Sequence, residues 1–400
     1  MLNYIRPLIP NTVFTFFQPY YHLTLSYLGA VLYGFPGKKL TVITVTGTKG
    51  KSSTTEFTYN ILKQAGYKVA VSNTIHFVID GVEQKNLFKM STPGRFFIQR
   101  FMHRALKAGC THVVLEVSSQ AVLQYRHLFL YPNALIFTNL SPEHIDAHGS
   151  YDNYLNAKRE IAKAVQNSPK RPRILIGNQD DQETPKFLSF TAEKKITFTG
   201  RDFPYELSVP GDFNKYNAAG AVAITKELGV SEENIKTALK DVKQIAGRLQ
   251  YIECGQDFDV VVDYAHTVDS LRKVYEIFKG KRIIGILGGT GGGRDRAKRK
   301  EMGALADTYC EMAYVTTEDP YDEDPQQIIN DVASGFTKKK PELIMSRRDA
   351  IRIAISRAQV GDVIIITGKG TDPFIMGPNG NNIPWSDAEV VKEELNARIA

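Results

Sequence analysis

The sequence predicts an α/β protein of two domains, each built on a mostly parallel sheet. Three observations predict it. From residue 41 onward, short apolar runs rich in Val and Ile alternate with helical patterns. A glycine-rich loop joins the first of those runs to the helix that follows. Past Gly247 the alternation starts afresh. A chain of 400 residues also exceeds what one hydrophobic core usually serves, so two or three domains are expected. No internal repeat or low-complexity tract interrupts the pattern.

The first forty residues differ from the rest. Phe14, Phe16, Phe17, Tyr20, Tyr21, Tyr27, Tyr33 and Phe35 crowd together. No small-residue cleavage site follows them, which excludes a signal peptide. Gln18, Pro19 and His22 interrupt the run and leave fewer than the ~20 apolar residues that a membrane span needs. The expected structure is a helix whose aromatic face docks on the next domain. The second reading is an interfacial helix lying on a membrane surface.

In the first domain Val42–Thr46 reads as a buried strand, Thr54–Gln64 as a helix stopped by Gly66, and Lys68–Ser72 as the next strand. Further strands are expected at His112–Val117, Ala134–Asn139 and Ile174–Gly177. Ser150 is a plausible N-cap for a helix reaching about Val165. The second domain carries strands at Val260–Asp263, Arg282–Gly288, Met312–Thr317, Glu342–Met345 and Val363–Thr367. Ligands of such sheets sit at the carboxyl ends of the strands, and the motifs below all follow strands.

Composition narrows the class. At 42% hydrophobic and 23% charged, the chain is neither disordered nor collagenous. Cys110, Cys254 and Cys310 form no CxxC pair, which excludes a zinc ribbon and a disulfide framework and suits a reducing, cytoplasmic setting. Fifty Lys and Arg against 43 Asp and Glu leave a net charge of +7. A basic chain calls for an anionic partner: nucleic acid, an anionic membrane or a small polyanion.

The sharpest motif is Gly47-Thr48-Lys49-Gly50-Lys51-Ser52-Ser53, between a strand and a helix. Its glycines let backbone N–H groups wrap phosphates, Lys51 can reach the β- and γ-phosphates, and Ser52 can hold Mg²⁺. The strict pattern wants a glycine where Val45 stands, so the loop is a compact variant; the bland reading is a glycine-rich turn. Glu116, followed by Ser118 and Ser119, ends one strand, and Pro142-Glu143-His144 follows the next. A carboxylate and an imidazole at adjacent strand ends could share a divalent ion. Lys158 sits among Tyr154, Leu155, Ile161, Ala162 and Val165 at helical spacing. It either snorkels to water or is buried with a task, and one such task is reaction with CO₂ to give an anionic carbamate. In the second half, Asp263-Tyr264-Ala265-His266 ends a strand, and Gly288 to Gly293 lead into a basic run from Arg294. Aromatic residues are not interleaved with that run, which argues against nucleic acid.

These pieces, in this order, resemble the Mur ligases, and most closely their third-residue branch. The resemblance runs over about residues 41–400. It rests on Thr46 to Ser52, Ser91-Thr92-Pro93-Gly94, Glu116-Val117-Ser118-Ser119, Asn139 to His144, Ala157-Lys158 and Phe213 to Ala219. It continues through Gly247-Arg248, Asp263 to Thr267, Asp295-Arg296, Thr317 to Pro320, Arg348 to Ile351 and Gly368-Lys369-Gly370. It implies a central P-loop ATPase-like domain with a mostly parallel sheet over 41–244, and a Rossmann-like α/β domain over 245–400, preceded by an aromatic arm over 1–40. It implies an ATP- and Mg²⁺-dependent amide ligase that works through an acyl phosphate, with an amine attacking that carbonyl. By the resemblance, Lys51, Lys158 and His144 are catalytic. Ser52, Glu116, His144 and a carbamylated Lys158 are metal ligands. Gly47 to Ser53, Asn214, Asn217, Arg248, Asp263 and His266 contact the nucleotide. Ser91, Thr92, Pro93, Ser118, Arg126, Arg296, Asp319, Pro320, Tyr321, Gly368 and Asp372 face the muropeptide or the amino acid. A monomer is expected, with a nucleotide-linked muropeptide and an amino acid as its small-molecule partners, peptidoglycan synthesis as its context, and membrane contact only through the arm.

Two departures bear on specificity. The amino-terminal uridine-binding domain of the family is expected to be missing, because about forty residues precede the first strand. Where diaminopimelate-adding members have Asp-Asn-Pro-Arg, this chain has Glu318-Asp319-Pro320-Tyr321, and a tyrosine cannot replace a bidentate guanidinium. Asp319 and Asp372 add negative charge, so L-lysine is expected over meso-diaminopimelate. The rivals are a folylpolyglutamate synthase-like ligase, a non-catalytic relative and a nucleic-acid-dependent NTPase.

Overall fold

The computed structural model describes residues 11–143, 145–293 and 296–399, with side chains for 16–143, 147–293 and 296–398. The chain divides into two compact units. One runs to Ser208 and includes Asp212–Val242; the other comprises Val209–Gly211 and the residues from Lys243 onward.

The first unit is an eight-stranded sheet in the order β4-β3-β2-β5-β1-β6-β7-β8. The strands are β1 (Thr41–Thr46), β2 (Val69–Ser72), β3 (His76–Ile79), β4 (Val82–Lys85), β5 (His112–Glu116), β6 (Ala134–Phe137), β7 (Ile174–Asn178) and β8 (Lys194–Phe198). All pairs are parallel except β2–β3 and β3–β4. Helices cover both faces, which is why the central strands read as continuous Val/Ile runs without alternation. β1 lies between β5 and β6, with Val45 opposite Glu116 and Thr46 opposite Phe137. That register brings the loops after all three strands to one edge. Leu115, Phe137, Tyr154 and Ile161 meet in the core beside them.

Three local features differ from the sequence expectation. The helix after β1 begins at Lys51, not Thr54. Its first turns are buried although polar, so an apolar period cannot reveal them. The β3–β4 hairpin turns at Asp80-Gly81, a dipeptide that marks such turns. The amino-terminal helix Asn11–Leu32 forms, but only the end of the aromatic run docks: Tyr27 and Phe35 meet Phe129, and Tyr33 meets His103. Among its described side chains Ser26, Gly29 and Ala30 are the buried positions, and Gly29 faces the backbone of Arg95 and Phe96. Phe16, Phe17 and Tyr20 remain 64%, 58% and 60% exposed. Small side chains allow the close approach to helix Arg95–Lys107, and the large rings are left outside it.

The second unit is a six-stranded sheet in the order β13-β12-β11-β14-β10-β9. Its strands are β9 (Gln250–Tyr251), β10 (Asp259–Val262), β11 (Ile283–Leu287), β12 (Met312–Thr316), β13 (Glu342–Ile344) and β14 (Val363–Ile366). All are parallel except β9, and a small hairpin, β15 (Phe374–Met376) with β16 (Asn382–Pro384), follows. Val260, Ile284, Tyr314 and Ile364 form its core with helix Arg347–Arg357 and the last helix, Asp387–Ile399.

A buried ion pair ties those two helices. Arg347 Nε and Nη2 donate to the two carboxylate oxygens of Asp387 at 2.8 and 2.7 Å, and Arg347 Nη2 also donates to Thr367 O. Both side chains are excluded from water. Removing one partner leaves the other charge buried alone, so Asp387→Ala is expected to lower stability by about 3–5 kcal/mol. Denaturant titration checks this, and an unchanged midpoint would contradict it.

Candidate active site

The glycine-rich loop is cradled by its neighbours in the first unit. Thr48 N donates to Asn139 O at 2.8 Å and Lys49 N to Asn139 Oδ1 at 2.9 Å. Thr138 Oγ1 donates to Lys49 O at 2.7 Å, and the Thr48 hydroxyl meets Tyr154 OH at 3.0 Å. There is no room for larger residues. A Cβ on Gly47 would lie 1.9 Å from Thr138 Oγ1, and one on Gly50, at φ +80°, 2.1 Å from Asn217 Oδ1. Gly50 caps helix Lys51–Gln64, so the loop N–H groups and the helix terminus suit phosphates. Lys51 Nζ bridges back to Thr48 O at 2.8 Å. Ser53 is buried in the first turn. Asn217 reaches the same loop from helix Asp212–Glu227, and its amide donates to Asn214 Oδ1 at 3.0 Å.

The donors for a divalent cation lie at the base of this loop. Ser52 Oγ donates to Glu116 Oε2 at 2.8 Å. Thr74, which sequence reasoning passed over, donates its N–H to Oε2 and its hydroxyl to Oε1, both at 3.0 Å. Glu116 is buried, so these hydrogen bonds supply what water would otherwise give it. Among the described residues no group of three His, Cys, Asp or Glu is arranged to hold a metal ion. The oxygen-only donors, Ser52 and Glu116, fit a hard cation such as Mg²⁺. His144 lies outside the described residues; beside it, Glu143 pairs with Lys49 at 2.8 Å.

Lys158 does not snorkel. Its Nζ is buried, donates to Gly47 O at 2.6 Å and lies 4.9 Å from the Tyr154 ring centroid. Burial, and then the Lys51 ammonium, hold its pKa well below the usual lysine range, against the opposing pull of Glu143 and Glu116.

Four of the residues expected to face the acceptor gather beside Glu116. Thr92 Oγ1 donates to Glu116 O at 2.9 Å and accepts from Ser118 N at 3.2 Å. The Ser91 and Thr74 hydroxyls meet at 2.7 Å. Arg126 donates to Thr92 O, next to the buried Pro93, and burial followed by the Arg95 charge brings its pKa down to about 10.

In the second unit three strand-end loops converge. Asp263 accepts from Leu249 N at 2.8 Å and Ala265 N at 2.7 Å. The Arg248 guanidinium stacks 4.5 Å from the Tyr264 ring centroid, and His266 Nδ1 contacts Tyr264 O at 2.8 Å. Gly368 abuts the buried Glu318, whose pKa burial raises. Lys369 Nζ, also buried, donates to Asp319 Oδ1 at 2.8 Å and lies 3.6 Å from Asp372. Met376 N donates to the same Asp319 oxygen. Lys369 thus answers one of the two carboxylate charges expected to attract a cationic side chain, which weakens the charge-based preference for lysine. Tyr321 holds a positive φ of 51° and donates its N–H to Met376 O. Pro320 backs the turn at Gly291, and Arg296 is mostly exposed and pairs with Glu323 at 3.3 Å.

A second buried group escaped the sequence reading. His76 contacts Glu56 and Glu83, each at 2.7 Å, and Asn73 bonds both Glu56 and the His76 N–H. The triad pins the segment that carries Thr74. Burial alone would lower the His76 pKa, but the two carboxylates outweigh it and raise it to about 9. Its stabilisation is thus complete below the unfolded value near 6.5 and is lost as pH rises through about 9. Between pH ~6 and ~10 the native protein should lose on the order of 2 kcal/mol more than His76→Gln. Denaturant midpoints across that range check this; parallel profiles would contradict it.

Residues 45–202 match the Mur ligase middle domain and residues 247–370 the Mur ligase glutamate ligase domain. A UDP-N-acetylmuramoyl-L-alanyl-D-glutamate–2,6-diaminopimelate ligase of Syntrophomonas wolfei subsp. wolfei is 32% identical over 405 residues, covering 94% of this chain and 82% of that protein. A solved structure of a ligase of the same description aligns with a TM-score of 0.59 at 26% identity, over 90% of this chain and 79% of that one. Mycobacterium tuberculosis folylpolyglutamate synthase, complexed with ADP and AMPPCP, shares the fold at 16% identity, with a TM-score of 0.71 over 88% of this chain and 93% of that one. With both domains matched in order and a relative aligned along 94% of this chain, the chain belongs to the Mur ligase family of ATP-dependent, ADP-forming amide ligases.

Proposed function

We propose that this ligase adds a diamino acid to the terminal carboxylate of a UDP-N-acetylmuramoyl-L-alanyl-D-glutamate acceptor in peptidoglycan synthesis. The relatives' names supply the substrates, and diaminopimelate is the diamino acid they specify. The observation that carries the reading is the phosphate loop held between Glu116 and the buried Lys158.

In this reading the loop N–H groups and Lys51 hold the triphosphate, and Ser52 and Glu116 hold Mg²⁺. The bound ion supplies charge neutralisation where two anions must meet. Thr92, Ser118 and Arg126 orient the acceptor carboxylate toward the γ-phosphate. The carboxylate oxygen bonds to phosphorus as the bond to ADP breaks. The amine then attacks the acyl carbon, loses a proton, and phosphate leaves. Asn214, Asn217, Arg248, Asp263 and His266 serve the nucleotide, while Asp319, Pro320, Tyr321, Gly368, Asp372 and Arg296 serve the amino acid.

Lys158 is carbamylated in the working enzyme. Burial and the Lys51 charge favour its uncharged, nucleophilic amine: with CO₂ a nitrogen–carbon bond forms, one proton leaves to solvent, and the product is an anion able to ligate Mg²⁺. Lys158→Ala should cut amide formation roughly 100-fold or more while the melting curve stays cooperative. Added short-chain carboxylate should restore part of the loss. Unchanged turnover would refute the role.

Phosphate release with a panel of amino acids and acceptors tests the substrates. Diaminopimelate with the UDP-muropeptide should be the active pair. Activity with lysine alone would overturn the amino-acid assignment, and activity with folate alone the acceptor.

A further inference from the structure

The amino-terminal helix supplies no residue to the site described above, although it packs beside Arg126, and its outer surface is unusual. Asn11–Leu32 contains no Asp, Glu, Lys or Arg. Its only ionisable group besides tyrosines is His22, which burial and then the Arg95 and Arg126 charges keep neutral, with a pKa of about 4. The helix docks through a narrow stripe. Ser26 Oγ donates to Tyr125 O at 2.8 Å, His22 lies against Arg95, and Gly29 faces the Arg95–Phe96 backbone. The remaining circumference, from Phe16 to Leu32, is exposed and almost wholly apolar or aromatic. A helix that is apolar all round is normally buried on every side. Among the described residues none is long and apolar enough to cross a membrane.

The element it rests on supplies the missing charge. On helix Arg95–Lys107, Phe96, Arg100, Arg104 and Lys107 follow one another at three- and four-residue spacing and are all exposed. Phe96 touches Gly29 of the amino-terminal helix, so the two surfaces are continuous. Arg100, Arg104 and Lys107 form no ion pair among the described residues. They rim a cavity of about 500 Å³ whose floor includes Phe77, Phe97 and Phe101. The acidic residues beside it are already engaged: Asp80 pairs with Lys68 at 2.9 Å and Glu83 with His76 at 2.7 Å. Exposed rings with adjoining cations, and a groove with an apolar floor and a cationic rim, complement an anionic headgroup and its acyl chain.

We infer that this face docks on an anionic lipid bilayer, with the amino-terminal helix lying in the headgroup layer and Arg100, Arg104 and Lys107 on lipid phosphates. Phenylalanine and tyrosine gain from the interface because their rings are apolar and the tyrosine hydroxyl stays wet. Each cation near such a surface adds attraction that salt screens. The inference stands apart from the ligase reading, since none of these residues touches the phosphate loop or the strand-end loops.

Co-sedimentation of the full chain with vesicles tests it. Binding is expected to mixed phosphatidylglycerol and phosphatidylcholine vesicles and not to phosphatidylcholine alone. The charge reversals Arg100→Glu, Arg104→Glu and Lys107→Glu together should weaken it on the order of 100-fold or more. Phe16→Ser with Phe17→Ser and Tyr20→Ser should weaken it at least tenfold. Both sets should keep the native circular dichroism and the ADP-forming activity, because the side chains replaced are exposed. Absence of vesicle binding, or equal binding by the charge-reversed protein, would overturn the inference. A dimer broken by the Phe16, Phe17 and Tyr20 changes, without vesicle binding, would assign the face to a second copy of the chain instead.

Discussion

The site depends on one hydrogen bond: the buried Lys158 amine donating to the carbonyl of Gly47. A lysine ammonium enclosed in an apolar core is costly, and here a second cation, Lys51, stands nearby and adds to the cost. The amine therefore lies under pressure to lose its charge. Its place under the phosphate loop turns that pressure to use. In the proposed carbamylation the uncharged amine becomes an anion, which would serve beside Ser52 and Glu116 as an oxygen donor. Tyr154 on the same helix holds the Thr48 hydroxyl, so one helix supports the loop at two points.

The architecture around that bond explains the spacing of the motifs. β1 is central, and its neighbours β5 and β6 deliver Glu116 and Thr138–Asn139 to the two sides of the loop. Thr74 then fixes both oxygens of Glu116, and the Glu56–His76–Glu83 triad fixes the segment bearing Thr74. Each layer satisfies the buried polar groups of the one before it, as a preorganised ionic site requires. The second unit shows the same economy. Asp319 and Asp372 both face Lys369, so part of the local negative charge is answered within the chain.

How much of this was legible in the sequence follows from what periodicity can report. The Val- and Ile-rich strands and the phosphate loop announce themselves because burial on both faces and tight backbone turns demand particular residues. Lys158 was readable as an intruder on an apolar face. The first turns of helix Lys51–Gln64 were not, because they are buried yet polar. The roles of Thr74 and His76, and the neutralisation of Asp319 by a lysine fifty positions later, arise from long-range pairing that no local pattern encodes. The amino-terminal helix was legible as a helix, and its aromatic docking was legible in part: Tyr27, Tyr33 and Phe35 do pack on the domain, while close packing selected Ser26, Gly29 and Ala30 over the earlier rings. An Asp-Gly turn between apolar runs would have revealed the β3–β4 hairpin.

The state of the Lys158 amine is the claim on which this account turns, and carbon-13 NMR reads it directly. With ¹³C-bicarbonate supplied at mildly alkaline pH, the native chain should show a carbamate carbonyl resonance that is absent from Lys158→Met. A native spectrum with no such resonance, or one that persists unchanged in the variant, would contradict it.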